Sequence, residues 1–126
     1  MPTGTALVVD GDWRMRKLIR TNLEAQGWQV IEATNGGEGL ERLRQGACDL
    51  ILLNADLPDS NGWSIVRRLR EEGSSSPAPI IVIAAEPASR RLLQRFPAVS
   101  QLLTPFSAHA LLECIRRSTG TRAALA

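Results

Sequence analysis

Lysine, histidine and cysteine are scarce in this chain of 126 residues, which contains only Lys17, His109, Cys48 and Cys114. The two cysteines fall in no CxxC or zinc-ligand spacing, which argues against a disulfide framework or a zinc site and for reduced, buried thiols. His109 has no Cys or carboxylate cluster beside it in an amphipathic segment, so a surface or capping role is expected instead of metal ligation. No apolar run approaches the roughly 18 residues that a membrane span needs, and Met1–Thr5 has no signal-peptide core. A cytoplasmic protein with no membrane contact is therefore expected. The formal net charge is only +2, far from the strong imbalance of a disordered tail or an electrostatically driven nucleic-acid binder.

What is present is apolar and ordered in pattern. Hydrophobic residues make up 44% of the chain, enough for one domain with its own core. Short apolar runs occur at Ala6–Val9, Val30–Ala33, Leu50–Leu53, Ile80–Ala84 and Leu102–Leu103. Runs of this length, bounded by turn residues, predict strands covered on both faces, as in a parallel sheet. Glu32 interrupts the second. Between the runs the spacing is helical: Met15, Leu18, Ile19, Asn22 and Leu23 share a face, as do Gly62, Ile65, Val66 and Leu69, and Ala108, Leu111, Leu112 and Ile115. Gly36–Gln45, with Leu40 and Leu43, and Ala88–Phe96 complete the set.

Punctuation supports these boundaries. Gly27 and Gly46 stand where helices should stop, and Asp12 and Ser107 are placed as N-caps. Gly73–Pro79 reads as a Ser/Pro-rich loop and residues 119–126 as a frayed tail. The expectation is one domain over residues 1–126, with its core at about residues 5–118. Five β/α alternations predict an α/β fold, an open, doubly wound parallel sheet with helices on both faces. Chemistry in such folds gathers at the carboxyl ends of the strands. That directs attention to Asp10–Asp12, Asn54–Asp56, Ala84–Glu86 and Thr104-Pro105.

At these loops the chain resembles the receiver domain of bacterial two-component response regulators. The resemblance covers roughly residues 5–118. It rests on Leu7-Val8-Val9-Asp10, on Asp49 through Pro58, on Asn61-Gly62, on Ile80–Ala84 and on Thr104-Pro105-Phe106. It implies a flavodoxin-like five-stranded sheet of order 2-1-3-4-5. It also implies a phosphorelay site in which an aspartate attacks a phosphoryl donor, acidic residues hold Mg²⁺, and a hydroxyl and a lysine bind the phosphoryl oxygens.

Matched position by position, most of those parts are missing. Asn54 stands at the phosphoacceptor place, and a carboxamide is a poor nucleophile because its nitrogen lone pair is delocalised. The usual pair of adjacent acids is Asp10-Gly11. Ala84 replaces the hydroxyl, Thr104 the lysine, and Gln101 the aromatic that turns inward on activation. Loss of negative and positive members together is physically coherent, since a lysine stranded among vanished carboxylates costs several kcal/mol.

The resemblance therefore implies a pseudo-receiver: a signalling module that is not phosphorylated at the usual position, is not an enzyme, and acts by protein–protein contact. Its partner would be a kinase, a phosphotransfer protein, an output protein or a second copy. The expected contact is the face of the fourth helix, fifth strand and fifth helix, carrying Arg90, Arg91, Arg95, Arg116 and Arg117 beside Gln101. The first helix, with Arg14, Arg16, Lys17 and Arg20, offers another face, and Trp13 and Trp63 are expected to flank the old pocket. Nucleic acid is disfavoured because no recognition module accompanies the arginines. No cofactor or metal is expected, unless Asp10, Asp12 and Asp56 move together to rebuild a Mg²⁺ site. Two other readings stay open: a small-ligand or metal sensor using that acidic pocket, and a working receiver whose aspartate was exchanged for Asn54 in the laboratory.

Overall fold

The structure is a computed structural model that describes residues 4–46, 48–71 and 78–125, with the backbone alone for residues 121–125. The elements run β1 (Gly4–Val9), α1 (Trp13–Ala25), β2 (Trp28–Ala33), α2 (Gly36–Gln45), β3 (Leu50–Asn54), α3 (Gly62–Glu71), β4 (Ile80–Ala84), α4 (Arg90–Arg95), β5 (Ser100–Leu103) and α5 (Ala108–Leu125). The five strands form one parallel sheet in the order β2-β1-β3-β4-β5.

The apolar runs follow from this layout. Both faces of the sheet are covered, so the inner strands β1, β3 and β4 bury consecutive residues. Leu7, Val9, Ile51, Leu53, Ile80 and Val82 pack toward Leu40 of α2, Ile65, Val66 and Leu69 of α3, and Phe96. Ala6, Val8, Leu50, Leu52, Ile81 and Ile83 pack toward Ile19 and Leu23 of α1 and Leu111, Cys114 and Ile115 of α5. Each large side chain buried this fully is worth about 1.5–3 kcal/mol of transfer free energy. Burial also raises the pKa of the Cys48 and Cys114 thiols.

Glu32 belongs where it stands. β2 is an edge strand, and burial alternates along it. The Glu32 carboxylate reaches Arg16 Nε at 2.9 Å and Arg20 Nη1 at 2.6 Å across α1. Its partial burial opposes ionisation, but the hydrogen bonds from Arg20 and Arg16 outweigh that and lower its pKa.

Some boundaries differ from the sequence reading. β1, β2 and β5 begin two residues before their apolar runs, because sheet pairing extends past the core. α4 is shorter than Ala88–Phe96: Ser89 caps it, its hydroxyl accepting from Leu92 N at 3.1 Å. Leu18, expected on the buried face of α1, is 44% exposed. The expected frayed tail is instead helical to Leu125, as the helix-favouring Arg, Ala and Leu after Gly120 permit. Residues 73–77 of the expected Ser/Pro-rich loop, and Ala126, lie outside the described residues. Gly27 takes a left-handed φ of 92° after α1, whereas Gly46 ends α2 in extended backbone. No helix among the described residues is long and apolar enough to cross a membrane.

Candidate functional site

The carboxyl ends of β1, β3 and β4 meet in a cleft of about 510 Å³ lined by Asp10, Asp12, Asn54, Asp56, Ala84 and Thr104, among others. Asp10 follows directly on β1, and its N–H donates to Ala33 O at 3.0 Å, so the sheet itself holds it in place. It is 3% exposed, a buried charged residue in an otherwise apolar core. Burial of a carboxylate is tolerated only when its oxygens are satisfied. Oδ1 accepts the Asp12 N–H at 2.8 Å, and Oδ2 accepts Nδ2 of Asn54 at 2.9 Å. The Asp10 carbonyl accepts Nη1 of Arg16 at 2.7 Å.

Asn54 fits between two groups of opposite need. Its Nδ2 donates to the Asp10 carboxylate, while its Oδ1 accepts the Asp56 N–H at 2.8 Å. The two bonds fix which end of the carboxamide is which. An ionised aspartate could receive the Asp56 N–H but has no proton for Asp10. Gly62 lets α3 begin directly against this strand end: a Cβ there would lie 2.4 Å from the Asn54 carbonyl oxygen, and the Gly62 N–H donates to Ala55 O at 2.8 Å.

The other anticipated residues divide. Asp12 and Asp56 line the cleft but are exposed. Asp12 caps α1, and the Arg14 N–H at 2.9 Å lowers its pKa. Among the described residues, no three His, Cys, Asp or Glu side chains are grouped closely enough to hold a metal ion. A side chain at Gly11 would crowd the loop after β3: a Cβ at this position would meet Cγ of Pro58 at 2.8 Å and Cδ at 3.0 Å. Thr104 precedes a cis peptide to Pro105, and its N–H donates to Ala84 O at 2.9 Å. Gln101 does not line the cleft; its Oε1 accepts the Ala88 N–H at 3.0 Å and ties β5 to the loop before α4.

Both tryptophans correct the sequence reading, because neither lines the cleft. Trp13 projects outward and is 61% exposed, since it lies beside the capped first turn of α1 and not on the Ile19–Leu23 stripe. Trp63 instead packs on Phe96, with ring centroids 6.2 Å apart. The basic face expected on α1 is also partly spent, as Arg14 meets Asp12, and Arg16 and Arg20 meet Glu32. On the other proposed face, Arg116 pairs with Glu113 and Arg95 lies over the Phe96 ring, while Arg90, Arg91 and Arg117 are exposed.

Asp59 is a residue that the sequence did not flag. Its carboxylate accepts the Gly36 N–H at 2.8 Å and the Gly37 N–H at 3.0 Å, so the loop after β3 caps α2 alongside Asn35. The Gly37 and then the Gly36 N–H lower its pKa. Only its place just before a Ser-Asn-Gly turn hinted at such a role.

The model of the response regulator receiver domain family matches residues 6–116. The chain belongs to this family. Residues of the chain are 34% identical over 103 positions to the transcriptional regulatory protein ResD of Bacillus subtilis (strain 168), covering 80% of the chain and 42% of ResD. They are 30% identical over 126 positions to the uncharacterized transcriptional regulatory protein YkoG of the same organism, covering 97% of the chain and 55% of YkoG. The receiver thus spans about half the length of these curated relatives. Its fold matches the chemotaxis response regulator CheY4 of Vibrio cholerae with a TM-score of 0.83 at 23% identity, covering 90% of this chain and 97% of that one. A putative response regulator from Chloroflexus aurantiacus gives 0.82 at 23% identity, with 95% and 99% covered. The sheet order expected from the resemblance is the one observed.

Proposed function

We propose that this receiver is a phosphorylation-independent interaction module of two-component signalling, a switch domain held near one state. The observation that carries the reading is the double engagement of Asn54, with Nδ2 on the Asp10 carboxylate and Oδ1 on the Asp56 N–H. The side chain at the acceptor place is a neutral amide already spent on holding its two neighbours. A phosphoryl group transferred there would have to displace both bonds and be attacked by a weak nucleophile.

The residues also do not fit Mg²⁺. That ion needs near-octahedral oxygen ligation, usually including one or two carboxylates. Among the described residues Asp10 is the one buried acid, both its oxygens accept hydrogen bonds, and no second carboxylate stands beside it at Gly11, where a Cβ would meet the Pro58 ring. Without catalysis or a phosphate switch, the domain acts by presenting surface to a protein partner in the cytoplasm, a kinase, phosphotransfer or output protein, or another copy of itself.

Incubation with Mg²⁺ and acetyl phosphate, followed by intact-mass measurement, tests this. An unmodified mass is expected. A stable phosphoryl adduct on Asn54 or a neighbouring acid overturns the reading. A rise in melting temperature with Mg²⁺ alone would favour a cation sensor, because a ligand selective for the folded state raises apparent stability.

A further inference from the structure

Away from the cleft, α3 and α4 carry six arginines against the single Glu71, in a chain of net charge +2. Ile65, Val66 and Leu69 define the buried face of α3. At 3.6 residues per turn, Trp63, Arg67 and Arg70 then share one stripe along its flank. Trp63 marks that flank as the one facing α4, because its ring stacks on Phe96 at 6.2 Å and 28° between planes. The Arg95 guanidinium lies 5.7 Å from the centre of the same Phe96 ring, and Arg91 stands one turn before it.

Most arginines on the other helices are paired, while Lys17 of α1 and Arg117 of α5 are exposed and form no ion pair among the described residues. Arg14, Arg16, Arg20, Arg42, Arg44 and Arg116, on α1, α2 and α5, each meet a carboxylate. Arg67, Arg70, Arg91 and Arg95 are exposed, and none forms an ion pair among the described residues. Covering four such cations without counter-charge is expensive, so whatever binds here must be acidic.

We infer that the α3–α4 face docks an acidic segment of a partner protein, with carboxylates on Arg67, Arg70, Arg91 and Arg95 and an apolar side chain against the edge of Trp63. Arg and Trp are the residue types that dominate interface hot spots, and the planar guanidinium suits bidentate carboxylate contact. Nucleic acid fits less well. Phe96 is buried and Trp63 half-buried, and they stack on each other, leaving no free aromatic platform for bases. This inference does not depend on the chemistry of Asn54, and the phosphodonor experiment does not bear on it.

A short peptide of Glu and Asp with one central Phe, its Lys counterpart, and short single-stranded and duplex DNA would each be titrated into isotope-labelled protein and followed by NMR. Acidic-peptide shifts should map to α3 and α4 and weaken with salt. Arg67→Glu with Arg70→Glu should lower affinity by about tenfold or more, the scale of interface hot spots. Trp63→Ala should also weaken binding, while Arg116→Glu on α5 should leave it unchanged. Arg67→Gln with Arg70→Gln gives the same reading if charge reversal disturbs folding. Shifts spread over all the arginine-bearing helices, affinity insensitive to both double variants, or DNA binding this face as tightly as the acidic peptide would overturn the proposal.

Discussion

Exchanging Asn54 for aspartate removes one proton-bearing nitrogen and sets two carboxylates against each other. The donor–acceptor distance it disturbs is 2.9 Å, to an Asp10 that is 3% exposed. The lost charge-assisted bond is worth about 1.5–3 kcal/mol, and two like charges about 4 Å apart repel by about 4 kcal/mol at an effective dielectric of 20. Proton uptake caps the total, since holding one aspartic acid protonated at pH 7 costs about 1.4 kcal/mol for each of roughly three pH units above its ordinary pKa. The expected destabilisation at pH 7 is therefore about 2–4 kcal/mol. Its pH dependence has a definite sign. The pair retains a proton in the folded state that the unfolded chain has lost, so its apparent pKa is raised. The penalty is absent below about pH 4 and grows by about 1.4 kcal/mol per pH unit until the folded pKa is passed. Urea denaturation of both proteins from acid to neutral pH measures the difference. Equal stability at neutral pH, with parallel profiles throughout, would refute the Asn54–Asp10 bond as a structural element.

Gly11→Asp should destabilise the fold by about 1–3 kcal/mol, an overpacking cost, because the new side chain meets the Pro58 ring; thermal melts will show it, and Mg²⁺ should not restore the loss. Gln101→Leu should cost about 1 kcal/mol and speed hydrogen exchange at the Ala88 amide, with little change elsewhere. Asp59 has a lowered pKa through the Gly37 and Gly36 N–H groups, so its contribution is complete above about pH 4 and lost as the pH falls through its folded value. Asp59→Asn should flatten that acid-side loss in pH-dependent melts while lowering stability at neutral pH.

Inner strands were legible in the sequence because burial on both faces leaves continuous apolar runs, as at Leu50–Leu53 and Ile80–Ala84. Edge strands were less so: Ser100 and Gln101 pair with β4 without an apolar signature. Asp10 and Asn54 were legible as members of one site through the resemblance, but the bond between them, made across the neighbouring strands β1 and β3, was not. What escaped were contacts between distant loops. Nothing local to Gly11 announces the Pro58 ring, nothing near Gln101 announces Ala88, and Asp59 finds Gly36 only because α2 and α3 pack side by side. Glu32 looked like a flaw in a strand, yet its partners lie on a helix formed by earlier residues. Trp13 shows that a position near a site is not orientation toward it.

The Glu32 carboxylate gripped by Arg16 and Arg20 has one more consequence, since β2 is an open border of the sheet. A foreign strand adding there would have to lie alongside an anchored charged cluster, an arrangement that discourages edge-to-edge aggregation. Concentrated salt, by loosening the partly exposed cluster, should make the protein more prone to associate through that border.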